Sequence, residues 1–142
     1  HHFEGRQLWL FPKPEVIASL EISDLQNLQF TKRKAEYILG IAREISKGDL
    51  SKEKLLRLET DEARSLLLSI RGVGAWTADY VMMKCLMETA AFPAADVGLH
   101  HAIKAQLGLE RKPSMDELVE LSEGWQGWEA YAVFYLWRSL YQ

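Results

Sequence analysis

A chain of 142 residues has the length of about one domain and can bury about 70% of its unfolded surface. With 48% hydrophobic and 26% charged residues it has a globular composition, and its single cysteine, Cys85, excludes a disulfide framework, a four-cysteine iron–sulfur cluster and a cysteine zinc site. The net charge of −3 excludes a long polyanion footprint, yet it is uneven: residues 1–57 carry +2 and 64–109 carry +1, whereas 58–63 and 110–142 each carry −3.

Nearly every segment predicts helix. His1-His2 could be natural sequence or a tag, and no capped helix precedes Pro14. Pro14 opens a short helix to about Leu20, since proline suits a first turn. Thr31 caps a helix from Lys32 to about Lys47 that Gly48 ends. Ser51 and Thr60 read as further N-caps, with Asp61 and Glu62 well placed in the first turn after Thr60. Helices over 61–69 and 75–88 flank Gly72-Val73-Gly74, and Phe92-Pro93-Ala94-Ala95 is a loop. A helix over about 98–107 ends at Gly108, Ser114-Met115-Asp116-Glu117 is a capping box for 115–123, and Gly124 and Gly127 precede a last helix over 128–141. There is no repeat, low-complexity tract or strand series, and no apolar run reaches the ~20 residues of a membrane span. Residues 76–88 and 128–137 are apolar on most faces and predict burial among other helices.

The most informative stretch is Leu67 to Thr77, where an apolar helix end runs through Gly72-Val73-Gly74 into a second apolar helix. Glycine reaches backbone angles closed to other residues, so the chain can reverse with the amides of Gly72, Val73 and Gly74 aimed at one anion. The helix start at Ala75–Thr77 adds free N–H groups and the positive end of a dipole. This is a helix-hairpin-helix suited to one DNA phosphate, although Gly-Val-Gly alone would also make an ordinary tight turn. Asp96 follows 22 residues after Gly74 in an apolar setting. It reads either as the N-cap of the next helix or as a catalytic carboxylate that activates water or stabilises a developing cation. Trp76 and Tyr80 share a helix face at i and i+4, and Trp137 could approach the same space. Such electron-rich faces would stack on a flipped, cationic base. Lys32-Arg33-Lys34 serve either as a solvated face or as phosphate contacts. His100-His101 lack a third ligand at metal spacing.

The chain resembles the helix-hairpin-helix DNA glycosylase superfamily, and within it the C-terminal part of the 3-methyladenine DNA glycosylase II branch. The resemblance runs through Phe11-Pro12-Lys13-Pro14, Thr31 to Glu36, Ile70 to Ala78, Phe92 to Asp96 and Trp125 to Ala132. It implies that Asp96 is the catalytic aspartate, that Trp76, Tyr80 and Trp137 line the base pocket, and that Gly72, Val73, Gly74, Ala75 and Thr77 grip a DNA phosphate. It also implies that the carbonyls of Leu68, Ile70 and Val73 bind a monovalent cation, K or Na. Bifunctional members carry a lysine where this chain has Trp76, so the resemblance implies a monofunctional glycosylase without lyase activity, and the absent cysteine quartet argues against the family's iron–sulfur branch. Gly127 and Glu129 depart from the Pro and Arg that relatives often have. An N-terminal region of the family, which completes one lobe, is expected to precede residues 1–142.

The resulting expectation is an all-α, two-lobed helical bundle that excises alkylated bases such as 3-methyladenine from double-stranded DNA, with the base flipped into a cleft between lobes. Required cofactors are not expected. A monomer in the cytoplasm, at the nucleoid or in a nucleus, without membrane association, fits the sequence. The alternatives are a non-catalytic helix-hairpin-helix DNA-binding module and a glycosylase for uracil, mismatched or oxidised bases.

Overall fold

A computed structural model describes residues 2–141, so His1 lies outside the description. Among the described residues the only strands are β1 (His2–Phe3) and β2 (Arg6–Gln7), an antiparallel pair two residues long, and the rest of the regular structure is helical as expected. None of the described helices is long and apolar enough to cross a membrane.

The chain divides into two compact units, the first ending at Ser51 and the second beginning at Lys52. The first unit holds α1 (Pro14–Ala18), α2 (Ile22–Asn27) and α3 (Lys32–Lys47). Helix α3 matches its predicted limits because both ends are chemically defined. The Thr31 hydroxyl accepts from the Lys34 N–H, and Gly48 adopts the left-handed φ of 79° that the C-cap requires. Its buried stripe of Ala35 and Leu39 packs with Leu25 of α2, supported by Ile17, Leu20, Ile22 and Ile38. Helix α2 has no Ser or Thr at its N-cap to announce it in the sequence. That helix is short, and its cap is an all-acidic box in which the side chains of Glu21 and Asp24 each accept the other's backbone N–H.

The second unit holds α4 (Lys52–Leu55), α5 (Thr60–Ser69), α6 (Ala75–Lys84), α7 (Val97–Gln106), α8 (Met115–Glu123) and α9 (Glu129–Ser139). Its core includes Leu67 of α5, Ala78 and Met82 of α6, Leu99 and Ile103 of α7, Leu118 of α8 and Val133 of α9. Three helices differ from expectation at their ends. Glu59, not Thr60, caps α5 through a box with Glu62, and the Thr60 hydroxyl instead donates to Glu88 at 2.9 Å. Helix α6 ends at Lys84 rather than at residue 88, because the N–H groups of Cys85 and Leu86 both turn to the Val81 carbonyl and Met87 takes a φ of 60°. Helix α9 starts after Trp128 and ends before Leu140. Its burial is also narrower than its composition suggested. The small residues Ala130 and Val133 face the core, while Trp128, Tyr131, Phe134 and Tyr135 are exposed.

Candidate active site and nucleic-acid interface

Helices α5 and α6 are joined by a hairpin whose shape depends on one backbone angle. Gly72 has a φ of 96°, closed to ordinary side chains, and the reversal is locked by the Val73 N–H donating to the Ile70 carbonyl at 3.0 Å. The Val73 N–H, one of the amides expected at a phosphate, is thus used within the turn in this structure. Gly74 is the N-cap of α6 and no side chain caps it, so the first turn, Ala75 to Thr77, begins directly at the hairpin. Among the described residues, no backbone N–H outside the helices donates to the Leu68 or Val73 carbonyl, and the Ile70 carbonyl accepts the Val73 N–H.

An ion pair across the hairpin helices was not anticipated. Arg64 of α5 holds Asp79 of α6 with Nε–Oδ1 and Nη2–Oδ2 distances of 2.6 and 3.3 Å. Asp79 is only 7% exposed, and this fork supplies a partner to each of its carboxylate oxygens. The same bond holds the Arg64 guanidinium above its ordinary pKa. The pair fixes α5 against α6 and hence the shape of the turn between them.

Of the two roles that its sequence context left open, Asp96 fills the N-cap, and its carboxylate also has partners outside the helix. It is the N-cap of α7, with Oδ1 accepting from the Leu99 N–H at 2.7 Å. The same oxygen accepts from Trp137 Nε1 at 2.7 Å, and Oδ2 accepts from Trp76 Nε1 at 2.7 Å. Two indoles from helices distant in the chain therefore converge on one carboxylate. All three donors are neutral, so these contacts orient the negative charge without cancelling it. The expected aromatic cluster is formed as well. Trp76 and Tyr80 stack with centroids 5.3 Å apart, and Tyr80 meets Trp137 at 6.0 Å. With Asp96, Gly98, Leu140 and Tyr141 they line an open pocket of about 340 Å³. Trp76 is 42% exposed at its mouth. That volume falls at the lower end of the range for small-molecule sites and could take one planar base.

Gly98 makes this convergence sterically possible. A Cβ at position 98 would lie 2.9 Å from Asp96 Oδ1 and 3.5 Å from the Trp137 indole. The sequence displayed Gly98 beside Asp96 and suggested Trp137 for the pocket, but not that the Trp137 indole bonds the carboxylate over Gly98. The loop before Asp96 is held by the Asp96 N–H to the Pro93 carbonyl at 2.9 Å, with Pro93 fully buried and Phe92 packed edge-on against Trp125. Among the other basic candidates, Arg33 donates from Nε to the Tyr37 hydroxyl at 2.6 Å and stacks on that ring. His100 and His101 belong to no group of metal-binding side chains among the described residues.

Residues 2–127 match the family described as HhH-GPD superfamily base excision DNA repair protein. The chain is 48% identical over 139 residues to the DNA-3-methyladenine glycosylase of Bacillus subtilis, covering 98% of this chain and 46% of that protein. It spans about half the length of the curated relatives it matches. Among solved structures, it is similar to a 3-methyladenine DNA glycosylase of Archaeoglobus fulgidus, with a TM-score of 0.82 and 28% identity over 96% of this chain and 46% of that one. It is also similar to the 3-methyladenine DNA glycosylase of Schizosaccharomyces pombe solved with abasic DNA, with a TM-score of 0.84 and 26% identity over 93% of this chain and 65% of that one.

Proposed function

We propose that this chain, which belongs to the HhH-GPD superfamily of base excision DNA repair proteins, carries the active site of a monofunctional DNA glycosylase that hydrolyses the N-glycosidic bond of alkylated bases such as 3-methyladenine. The observation that carries this reading is the Asp96 carboxylate, oriented by three neutral N–H donors at the edge of the Trp76, Tyr80 and Trp137 cluster.

The chemistry follows from those contacts. A base flipped into the pocket stacks on electron-rich rings, which favour a positively charged partner by cation–π attraction. An N-alkylated purine is already cationic and leaves readily, so a strong general acid is unnecessary. As the bond to the base lengthens, the sugar gains oxocarbenium character, and the uncompensated charge of Asp96 stabilises it electrostatically. The same carboxylate orients the attacking water. The hairpin amides from Gly72 to Gly74 and the start of α6, Ala75 to Thr77, grip a backbone phosphate of double-stranded DNA, and a K or Na ion on the Leu68, Ile70 and Val73 carbonyls would strengthen that grip. Trp76 offers no amine for a Schiff base with the abasic sugar, which supports base release without strand cleavage. The protein acts as a monomer in this reading.

The test is incubation of the protein with DNA treated with a methylating agent, followed by mass-spectrometric identification of the released base. Free 3-methyladenine is expected, with no covalent adduct trapped by borohydride. Release of uracil or an oxidised base instead would reassign the substrate. Binding with no base released would make the chain a DNA-binding module, and a borohydride adduct would refute the monofunctional assignment.

A further inference from the structure

His100 lies one turn beyond Asp96 on α7, with both ring nitrogens pointing at backbone carbonyls. Nε2 is 2.8 Å from the Ala94 oxygen, in the loop that delivers Asp96, and Nδ1 is 3.1 Å from the Pro113 oxygen, just before the Ser114 cap of α8. A carbonyl only accepts. A neutral imidazole carries one N–H and an imidazolium carries two. Both contacts are therefore hydrogen bonds only when the ring is doubly protonated. In the neutral ring, one nitrogen lone pair faces a carbonyl oxygen at about 3 Å, and one contact changes from attraction to repulsion.

We infer that His100 is a positioning residue for Asp96, acting as an imidazolium rivet that ties the 93–96 loop to the start of α8. The inference rests on the proposed role of Asp96, but its geometry stands without it. Asp96 is placed from both sides of His100's reach. Its N–H donates to Pro93, its carbonyl accepts the His100 N–H at 3.2 Å, and the neighbouring Ala94 carbonyl is held by the His100 ring. If the Ala94 contact is lost, the loop can move and carry the carboxylate relative to the Trp76 and Trp137 indoles. Few charges compete for this ring. On α7 the titratable groups are His101 and Lys104, and Asp96 precedes them with both oxygens engaged by N–H donors. Around Pro113, Arg111 and Glu117 pair with each other at 2.7 Å and Lys112 lies beside them, while α9, packed against α7, contributes Glu129 and Arg138.

The experiment is an NMR pH titration of the full chain that follows the His100 ring and the indole N–H signals of Trp76 and Trp137. Both indole signals should shift in the same pH interval in which His100 loses a ring proton. That step should vanish in His100→Gln and persist in His101→Gln. The wild-type titration decides the matter even if His100→Gln folds poorly. Single-turnover base release should fall about tenfold through the same interval, with DNA affinity unchanged. Indole signals that stay still while His100 titrates, or a His100 ring that never carries two protons, would overturn the inference. If no base is released at any pH, the proposed activity fails, while the indole signals still report whether His100 positions Asp96.

Discussion

The substitution Gly98→Ala adds one methyl group where the structure has no room for it. The new Cβ would stand 2.9 Å from Asp96 Oδ1 and 3.5 Å from Trp137 Cδ1 and Nε1. Unstrained non-bonded contacts lie near 3.5–4.0 Å, so the carboxylate must recede by roughly half an ångström or more. Oδ1 cannot recede freely, because the Leu99 N–H and the Trp137 indole each hold it at 2.7 Å. Loss of one hydrogen bond to a charged acceptor costs about 1.5–3 kcal/mol. Replacing a helical glycine with alanine returns at most about 1 kcal/mol. The net destabilisation should be about 0.5–2 kcal/mol, a small fall in melting temperature. Catalysis should suffer more than stability, since a misplacement of about 1 Å in a reacting group costs on the order of 100-fold. Single-turnover base release from methylated DNA should therefore drop 10- to 100-fold, with DNA affinity intact because the hairpin is untouched. A rate within twofold of wild type, with the Trp137 indole signal unmoved, would refute the reasoning.

Other perturbations separate the grip from the chemistry. Trp76→Phe removes the described donor to Asp96 Oδ2, whereas Trp137→Phe leaves Oδ1 with the Leu99 N–H; base release should slow more in the first, by about tenfold, in single-turnover assays. Arg64→Ala leaves the buried Asp79 carboxylate without its fork, so thermal denaturation should show a loss of about 2 kcal/mol and DNA titration a weaker complex; the Arg64→Ala/Asp79→Ala pair should lose less than the sum of the single changes. Glu117 is held far below its ordinary range, at about 2, first by its hydrogen bonds to Arg111 and then by the Ser114 backbone and hydroxyl. A depressed carboxylate stabilises the fold above its unfolded pKa and loses that effect as pH falls through the folded value. Wild type should thus exceed Glu117→Gln in thermal stability at neutral pH, with the gap closing only as pH drops from about 4.5 towards 2.

Elements defined by local chemistry were legible in the sequence. The limits of α3 follow from Thr31 and Gly48, the start of α8 from the Ser114 and Glu117 box, and the hairpin from its glycines. Reading failed where a local rule had two solutions. Apolar residues continue past Lys84, yet the backbone turns at Met87; acidic side chains cap α2 and α5, where Ser or Thr is the usual signal. The composition of α9 suggested burial on most faces, but only the width of its packed face decides that. At the site, Asp96 and the aromatic trio were identifiable as residue types. Their hydrogen bonds were not, because Trp76 and Trp137 reach Asp96 from 20 and 41 residues away. Arg64–Asp79, Gly98 and the two carbonyls facing His100 likewise depend on packing that sequence spacing does not encode.

The central claim is that the Asp96 carboxylate performs the bond cleavage while the hairpin holds the DNA. Asp96→Asn keeps the size and the α7 cap but removes the charge, and it turns an NH2 group towards an indole or backbone N–H. Measured on methylated DNA, the variant should release no detectable 3-methyladenine while binding the same DNA with affinity close to wild type. Base release at a near-normal rate by Asp96→Asn would contradict the account.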